Sequence, residues 1–154
     1  ELPKNKIGAY LKDPEWEVNI NPAEITQSVI EHSKRFLKIN TLPEDFFGCF
    51  VTKLDPEDEK KFNEIRAYQA KEEIEELGLY QLHPICKIAY QLINQELRVF
   101  INGEVFNCSD IDKDLVVSFS NTRKLQLSNK NRALAEQLVS LSLIENLHKT
   151  NQDF

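Results

Sequence analysis

The stretch KIAYQLINQELRVFINGEVFNC, residues 87–108, changes the period of the chain from helical to alternating. Apolar and polar residues take turns along it, as they do in a strand that buries one of its faces. Asn94-Gln95 marks a first turn, and Asn102-Gly103 is the strongest short-range signal for a hairpin. We therefore predict a small antiparallel sheet of three strands over residues 87–93, 96–101 and 104–108.

The segments on either side of this sheet favour helices. Residues 70–77 (AKEEIEEL) form a short amphipathic pattern that Gly78 would end. Ser109 or Asp110 would cap a helix over residues 111–120, and residues 121–127 would connect it to a last helix that Ser128 caps. We expect residues 143–147 to add a short strand. The face of the last helix would consist of Ala133, Leu134, Leu138 and Leu141.

Two more helices are predicted before the sheet. The Asn-Pro pair at residues 21–22 combines a good N-cap with the residue that fits the first helical position. Apolar residues then recur at helical spacing, which predicts a helix over residues 21–39. The triplet TLP at residues 41–43 repeats this start signal and predicts a second helix over residues 42–53.

The second helix is unusually rich in aromatic residues. Phe46, Phe47 and Phe50 give it more apolar surface than one short helix needs. The two helices could bury these rings between themselves, or a partner could cover them. The residues alone leave both alternatives open. If a second copy of the chain is the partner, the candidate dimer interface consists of Ile25, Val29, Phe36, Phe46, Phe47 and Phe50.

The acidic segment DPEDEKK at residues 55–61 is typical of a solvent-exposed connector between two parts of the chain. We therefore divide the chain into a helical region, residues 1–68, and a domain over residues 69–154. Residues 1–77 hold 11 basic and 17 acidic residues, which accounts for the whole net charge of −6. Residues 78–154 hold eight of each, so neither half favours a polyanion.

A nucleic-acid reader is nevertheless the main alternative. A short helix, a small sheet and two helices in this order resemble a winged-helix α+β module, and most such modules bind DNA through one helix. The last helix would start in a modest basic cluster. Its candidate nucleic-acid contacts are Arg123, Lys124, Lys130 and Arg132. The absence of net positive charge in this half argues against that function.

The residues give little support for catalysis or for a metal centre. The three histidines, His32, His83 and His148, lack the His-x-Asp and HExxH spacings of iron and zinc enzymes. The cysteines, Cys49, Cys86 and Cys108, are widely spaced and odd in number, which is typical of reduced, buried thiols rather than disulfides. We predict no catalytic residue, metal or cofactor in this chain, and a cytoplasmic location.

The chain of 154 residues contains no methionine and begins with Glu1. We therefore expect it to be a piece of a longer protein. Its apolar fraction of 41% is ordinary for a folded domain, and its apolar runs are far shorter than the roughly 18 residues of a membrane span.

Several scattered features together resemble one protein family, the bacterial cupin (JmjC-type) oxygenases that hydroxylate arginine in ribosomal proteins. These features cover nearly the whole chain but correspond only to the region that follows the family's catalytic cupin domain. They are Tyr10 with Asp13-Pro14, Asn21-Pro22-Ala23 at a helix start, Phe46-Phe47-Gly48 with Phe50, the helix that ends at Gly78, the strand and hairpin over residues 97–104, and the two closing helices.

The resemblance implies a division of labour within a longer parent protein. The family's cupin domain binds Fe(II) and 2-oxoglutarate and acts on a ribosomal protein, and the iron ligands have no counterpart in this chain. The helical region would form a homodimer, and a winged-helix-like domain would close the chain without binding nucleic acid or a membrane. The residues also leave open a domain that binds a different protein, as an adaptor does.

Overall fold

A computed structural model describes residues 21–37, 44–68, 74 and 78–150 of the chain. The helices are α1 (Gln27–Leu37), α2 (Phe46–Thr52), α3 (Pro56–Tyr68), α4 (Lys113–Thr122), α5 (Arg132–Ser140) and α6 (Leu147–Thr150). The strands are β1 (Leu79–Leu82), β2 (Ile88–Ile93), β3 (Glu96–Ile101), β4 (Glu104–Phe106), β5 (Lys124–Gln126) and β6 (Ile144–Asn146). The fold is therefore mixed α+β, with helices followed by small antiparallel sheets, as predicted.

The first sheet has the order β2-β3-β4 and confirms the prediction made from residues 87–108. In its antiparallel register Ile88 lies opposite Ile101, and Val99 lies opposite Phe106. Both turns use left-handed backbone: φ is 50° and 66° at residues 94 and 95, and 52° and 86° at residues 102 and 103. Paired positive φ values suit two-residue hairpin turns because their twist matches that of the strands. Two strand ends differ from the prediction: β2 begins at Ile88 and β4 stops at Phe106.

The second sheet has the order β5-β1-β6, and most of it was not predicted. Tyr80 of the central strand lies opposite Leu125 on one side and Asn146 on the other. The expected strand over residues 143–147 is present as β6. The expected connector over residues 121–127 is wrong, because it contains β5.

Helix α1 begins at Gln27, so the prediction of a start at Asn21 is wrong. The backbone N–H of Ile25 donates to the carbonyl of Tyr90 at 2.8 Å, and the N–H of Tyr90 donates to the carbonyl of Ala23 at 2.9 Å. Residues 23–25 thus lie along the edge of β2 in a parallel bridge. Backbone groups that pair with a strand are not free to start a helix.

The expected connector over residues 55–61 is also wrong, because it forms the first half of α3. The carboxylate of Asp55 accepts a hydrogen bond from the N–H of Asp58 at 2.8 Å, and Pro56 occupies the first helical position. Three acidic residues in the first turn favour the positive end of the helix. Before it, α2 starts at Phe46, whereas the prediction began it at residue 42.

The caps of the last two long helices lie a few residues after the predicted ones. Asp112 caps α4, and its side chain accepts a hydrogen bond from the N–H of Asp114 at 2.8 Å. Asn131 precedes α5, where its side-chain oxygen accepts from the N–H of Ser128 at 2.8 Å. The face of α5 follows the prediction at Leu134 and Leu138, which are buried. Ala133 and Leu141 are exposed, and Ala135 is buried instead.

The core lies between the two sheets and the helices that cover them. One cluster of buried side chains joins Ala23, Leu54 and Phe62 to residues of both sheets and of α4 and α5. The helix expected over residues 70–77 lies outside the described residues, apart from Ile74, which is not helical. The division of the chain at residue 68 stays a prediction. Among the helices that the structure describes, none is both long and apolar enough to cross a bilayer.

Candidate functional site

Helix α2 is fastened at its N-terminal end to the sheet by an ion pair. Arg98 of β3 donates two hydrogen bonds to Asp45, from Nε to Oδ1 at 2.6 Å and from Nη2 to Oδ2 at 2.5 Å. Two parallel hydrogen bonds between ionised groups form one of the stronger polar contacts in proteins. The bonds to Asp45 raise the pKa of the Arg98 guanidinium, so this side chain stays charged at any physiological pH.

Two further contacts hold the middle and the end of α2. Gly48 packs on the ring of Phe100 so closely that a Cβ atom there would lie 2.3 Å from ring carbons. The hydroxyl of Thr52 accepts a hydrogen bond from the N–H of Gly103 at 3.0 Å and donates one to the carbonyl of Gly48 at 2.8 Å. The inner side of α2 is therefore made of small residues that let it approach the sheet.

The outer side of α2 carries large apolar residues. Phe46 is 45% exposed and Phe50 is 67% exposed. Their rings stack with centroids 6.0 Å apart and an angle of 12° between their planes. We refer to Phe46 and Phe50 as the phenylalanine face. Val51 beside them is 39% exposed.

The other residues of the predicted interface have different surroundings. Phe36 on α1 is 65% exposed, while Val29 and Phe47 are half-buried. Ile25 is buried within the chain, where its backbone pairs with β2. The structure thus leaves Phe36, Phe46 and Phe50 with the most uncovered apolar surface of the six.

A groove of about 520 Å³ runs from the phenylalanine face between α2, α3 and the turn that joins β3 to β4. Val105 and Leu141 add exposed apolar surface to it, and the Arg66 guanidinium lies 5.7 Å from the ring centroid of Phe62 on its wall. Val105 was not among the predicted interface residues, although it lies opposite Phe100 and therefore on the side of the sheet that packs against α2. Leu141 was assigned to the inner face of the last helix.

One buried polar side chain on the same face of the sheet lacks a partner. Gln91 lies opposite Arg98 in the register and is 1% exposed. Neither its side-chain nitrogen nor its oxygen has a hydrogen-bond partner among the described residues. An unpaired buried amide lowers folding stability by about 1–3 kcal/mol.

The four basic residues considered for nucleic-acid contact do not form one surface of free cations. Arg123 uses its Nη2 atom to donate to the carbonyls of His83, at 3.2 Å, and Cys86, at 2.8 Å. Arg132 pairs with Glu136 at 3.1 Å. Lys124 and Lys130 are exposed.

The histidines lie on separate elements. His83 is buried after β1, with its Nδ1 atom 3.3 Å from Glu145 of β6, and Gln81 donates to the same carboxylate at 2.7 Å. His32 on α1 is exposed. In the part of the chain that the structure describes, no cluster of three or more His, Cys, Asp or Glu residues could hold a metal ion. These residues therefore do not fit an iron site.

The thiols are suited to packing rather than to nucleophilic chemistry. Cys86 and Cys108 are buried, Cys49 is half-buried, and all three are unpaired. The largest effect on the pKa of each thiol is burial, which raises it by removing water from the charged form. The reactive thiolate is therefore disfavoured.

Comparison with known proteins adds a family to this geometry. A family model described as ROXA-like winged helix matches residues 29–147. The match covers most of the chain, from within α1 to the first residue of α6. No curated protein and no solved structure gives a significant match.

Proposed function

The chain belongs to the ROXA-like winged-helix family, and from this premise we propose that it is the non-catalytic C-terminal region of a cupin-type oxygenase. The parent protein would use Fe(II) and 2-oxoglutarate to hydroxylate a ribosomal protein in the cytoplasm. The family description agrees with the resemblance to ribosomal-protein hydroxylases that the sequence carries. Three unpaired cysteines suit a reducing compartment.

The role proposed for this region is to hold two copies of the parent together and to help frame the face that meets the substrate. The observation that carries the proposal is the phenylalanine face. Two stacked, exposed rings on a helix that is firmly attached to its own sheet form a ready contact for a second copy. Full burial of a Phe side chain contributes roughly 1.5–3 kcal/mol. Each ring is already partly covered, so covering the rest in a dimer supplies a share of that value from each of the four rings.

The charges of the chain favour self-association over nucleic acid as the role of this region. Arg123 is occupied within the chain and Arg132 has an acidic neighbour, so the basic cluster offers few free cations to a phosphate backbone. The proposed partners are therefore a second copy and, for the parent protein, its ribosomal substrate.

Sedimentation equilibrium of the chain up to high micromolar concentration tests the dimer. We expect a dimer for the natural sequence and a monomer for the double variant Phe46→Ala/Phe50→Ala. Leu92→Ala is the matched control, because Leu92 is 50% exposed on β2 but not part of the phenylalanine face. A natural chain that stays monomeric contradicts the proposal, as does a double variant that dimerises normally.

The identity of the parent protein has its own test. We expect the coding sequence upstream of Glu1 to encode a cupin domain with a His-x-Asp iron motif. An upstream sequence without that motif contradicts the proposed oxygenase. A pull-down with a tagged copy of this chain distinguishes self-association from binding to a different protein. Capture of an untagged copy supports self-association, and capture of a different protein instead supports an adaptor.

A further inference from the structure

The attachment of α2 to the sheet is polar at both ends. Only Gly48 and Thr52 of this seven-residue helix are buried, so few large apolar side chains hold it in place. A helix of this length is not stable by itself in water and takes its conformation from its contacts. The unpaired amide of Gln91 on the facing strand adds nothing favourable to that packing.

The ion pair at its start is a strong polar contact of α2, because both groups are charged and two hydrogen bonds join them. Both side chains are only partly exposed, 23% for Arg98 and 33% for Asp45, so water screens the pair less than it screens a surface pair. Asp45 also accepts the first backbone hydrogen bond of the helix, from the N–H of Cys49 at 3.0 Å. The carboxylate and the helix start therefore move together.

Phe46 directly follows Asp45, and Phe50 lies one turn further along. A rotation or a displacement of the helix start would change the direction of both rings. We propose that Arg98 and Asp45 are positioning residues for the phenylalanine face: their ion pair holds α2 so that Phe46 and Phe50 stack and point outward together. The inference rests on the proposed function, since it assigns to a residue of β3 a role in self-association.

The test measures self-association and local opening of α2 in the same variants. We expect Arg98→Ala to raise the dimer dissociation constant about tenfold, because the arrangement of α2 that presents both rings would be populated less often. Amide hydrogen exchange should become faster in α2, while the amides of β2 and β3 keep their protection. Arg98→Lys keeps the positive charge but loses the double hydrogen bond. Its dimer dissociation constant should lie between those of the natural chain and of Arg98→Ala.

The exchanged pair Asp45→Arg/Arg98→Asp should restore much of the affinity, which a merely destabilising substitution would not do. Arg132→Ala is the control. It removes the ion pair between Arg132 and Glu136, which lies on α5 and not on the helix that carries the phenylalanine face. We expect it to leave the dimer unchanged.

Three results would overturn the inference. The first is a natural dimer whose affinity Arg98→Ala does not change, which contradicts the positioning role alone. The second is equal loss of protection in α2 and β3, which would mean that Arg98 supports the whole sheet. The third is a monomeric natural chain, which contradicts the proposed function and this inference with it.

Discussion

Helices α2 and α5 each turn one side toward a sheet, but they direct opposite kinds of residue to solvent. Helix α5 buries Leu134, Ala135 and Leu138 completely and exposes polar side chains. Helix α2 buries Gly48 and Thr52 and exposes Phe46 and Phe50. The large apolar residues of α5 stabilise the chain that contains them. Those of α2 do little for their own fold, which is why we assign them to a partner.

The largest effect expected from this comparison is on the α5 side. Leu138→Ala should lower the free energy of unfolding by about 2–5 kcal/mol, because it leaves a cavity in the core. Phe50→Ala should change it by no more than about 0.5 kcal/mol in the monomer, because the ring is mostly in water. Urea unfolding of dilute protein measures both. Similar losses in the two variants would show that α2 and α5 play the same role.

A smaller effect should follow from filling the inner side of α2. Gly48→Ala places a methyl group against the ring of Phe100 and should cost about 1–3 kcal/mol in urea unfolding. The control is Ala133→Ser on the exposed side of α5, for which we expect almost no change. If Gly48→Ala is neutral, α2 can move away from the sheet at little cost, and the close approach of the two is not required.

The smallest effect concerns pH, where a thiol of α2 can be compared with one of the core. Burial raises the pKa of Cys86 above the ordinary value of 9.0, so the unfolded chain loses this proton first as the pH rises. Stability should be complete below pH 9 and fall above it, because the unfolded chain then loses the thiol proton more readily than the folded chain does.

Urea unfolding between pH 7 and 10 measures this loss. Cys86→Ala should reduce the fall of the unfolding free energy with pH more than Cys49→Ala does, since Cys49 is less buried. Equal slopes in the two variants would contradict the assignment of the effect to burial in the core.

The parts of the fold that could be predicted are those with strong local signals. Alternation and the Asn102-Gly103 pair defined the β2-β3-β4 sheet almost to the residue. In the other sheet, β1 has four residues and β5 and β6 have three each. Strands this short do not show an alternation of apolar and polar residues. The acidic start of α3 looked like a connector because charge and proline dominate it, although Asp55 and Pro56 are also good residues to begin a helix.

The residue types of the candidate site could be predicted from the sequence, but not which of its side chains face solvent. The three phenylalanines of α2 were evident, yet spacing alone could not separate exposed Phe50 from half-buried Phe47. That difference depends on where Gly48 meets Phe100, a contact between residues far apart in the chain. The Arg98–Asp45 pair was not predicted for the same reason.

The segment beside β2 has a consequence for how far this chain can be shortened at its N-terminal side. Residues 23–25 occupy the edge of β2 and satisfy backbone groups of Tyr90. A fragment that began at Val29, where the family match begins, would lose that cover and expose an open sheet edge. Open edges pair with one another and lead to aggregation. The useful N-terminal boundary for expressing this domain therefore lies before Ala23.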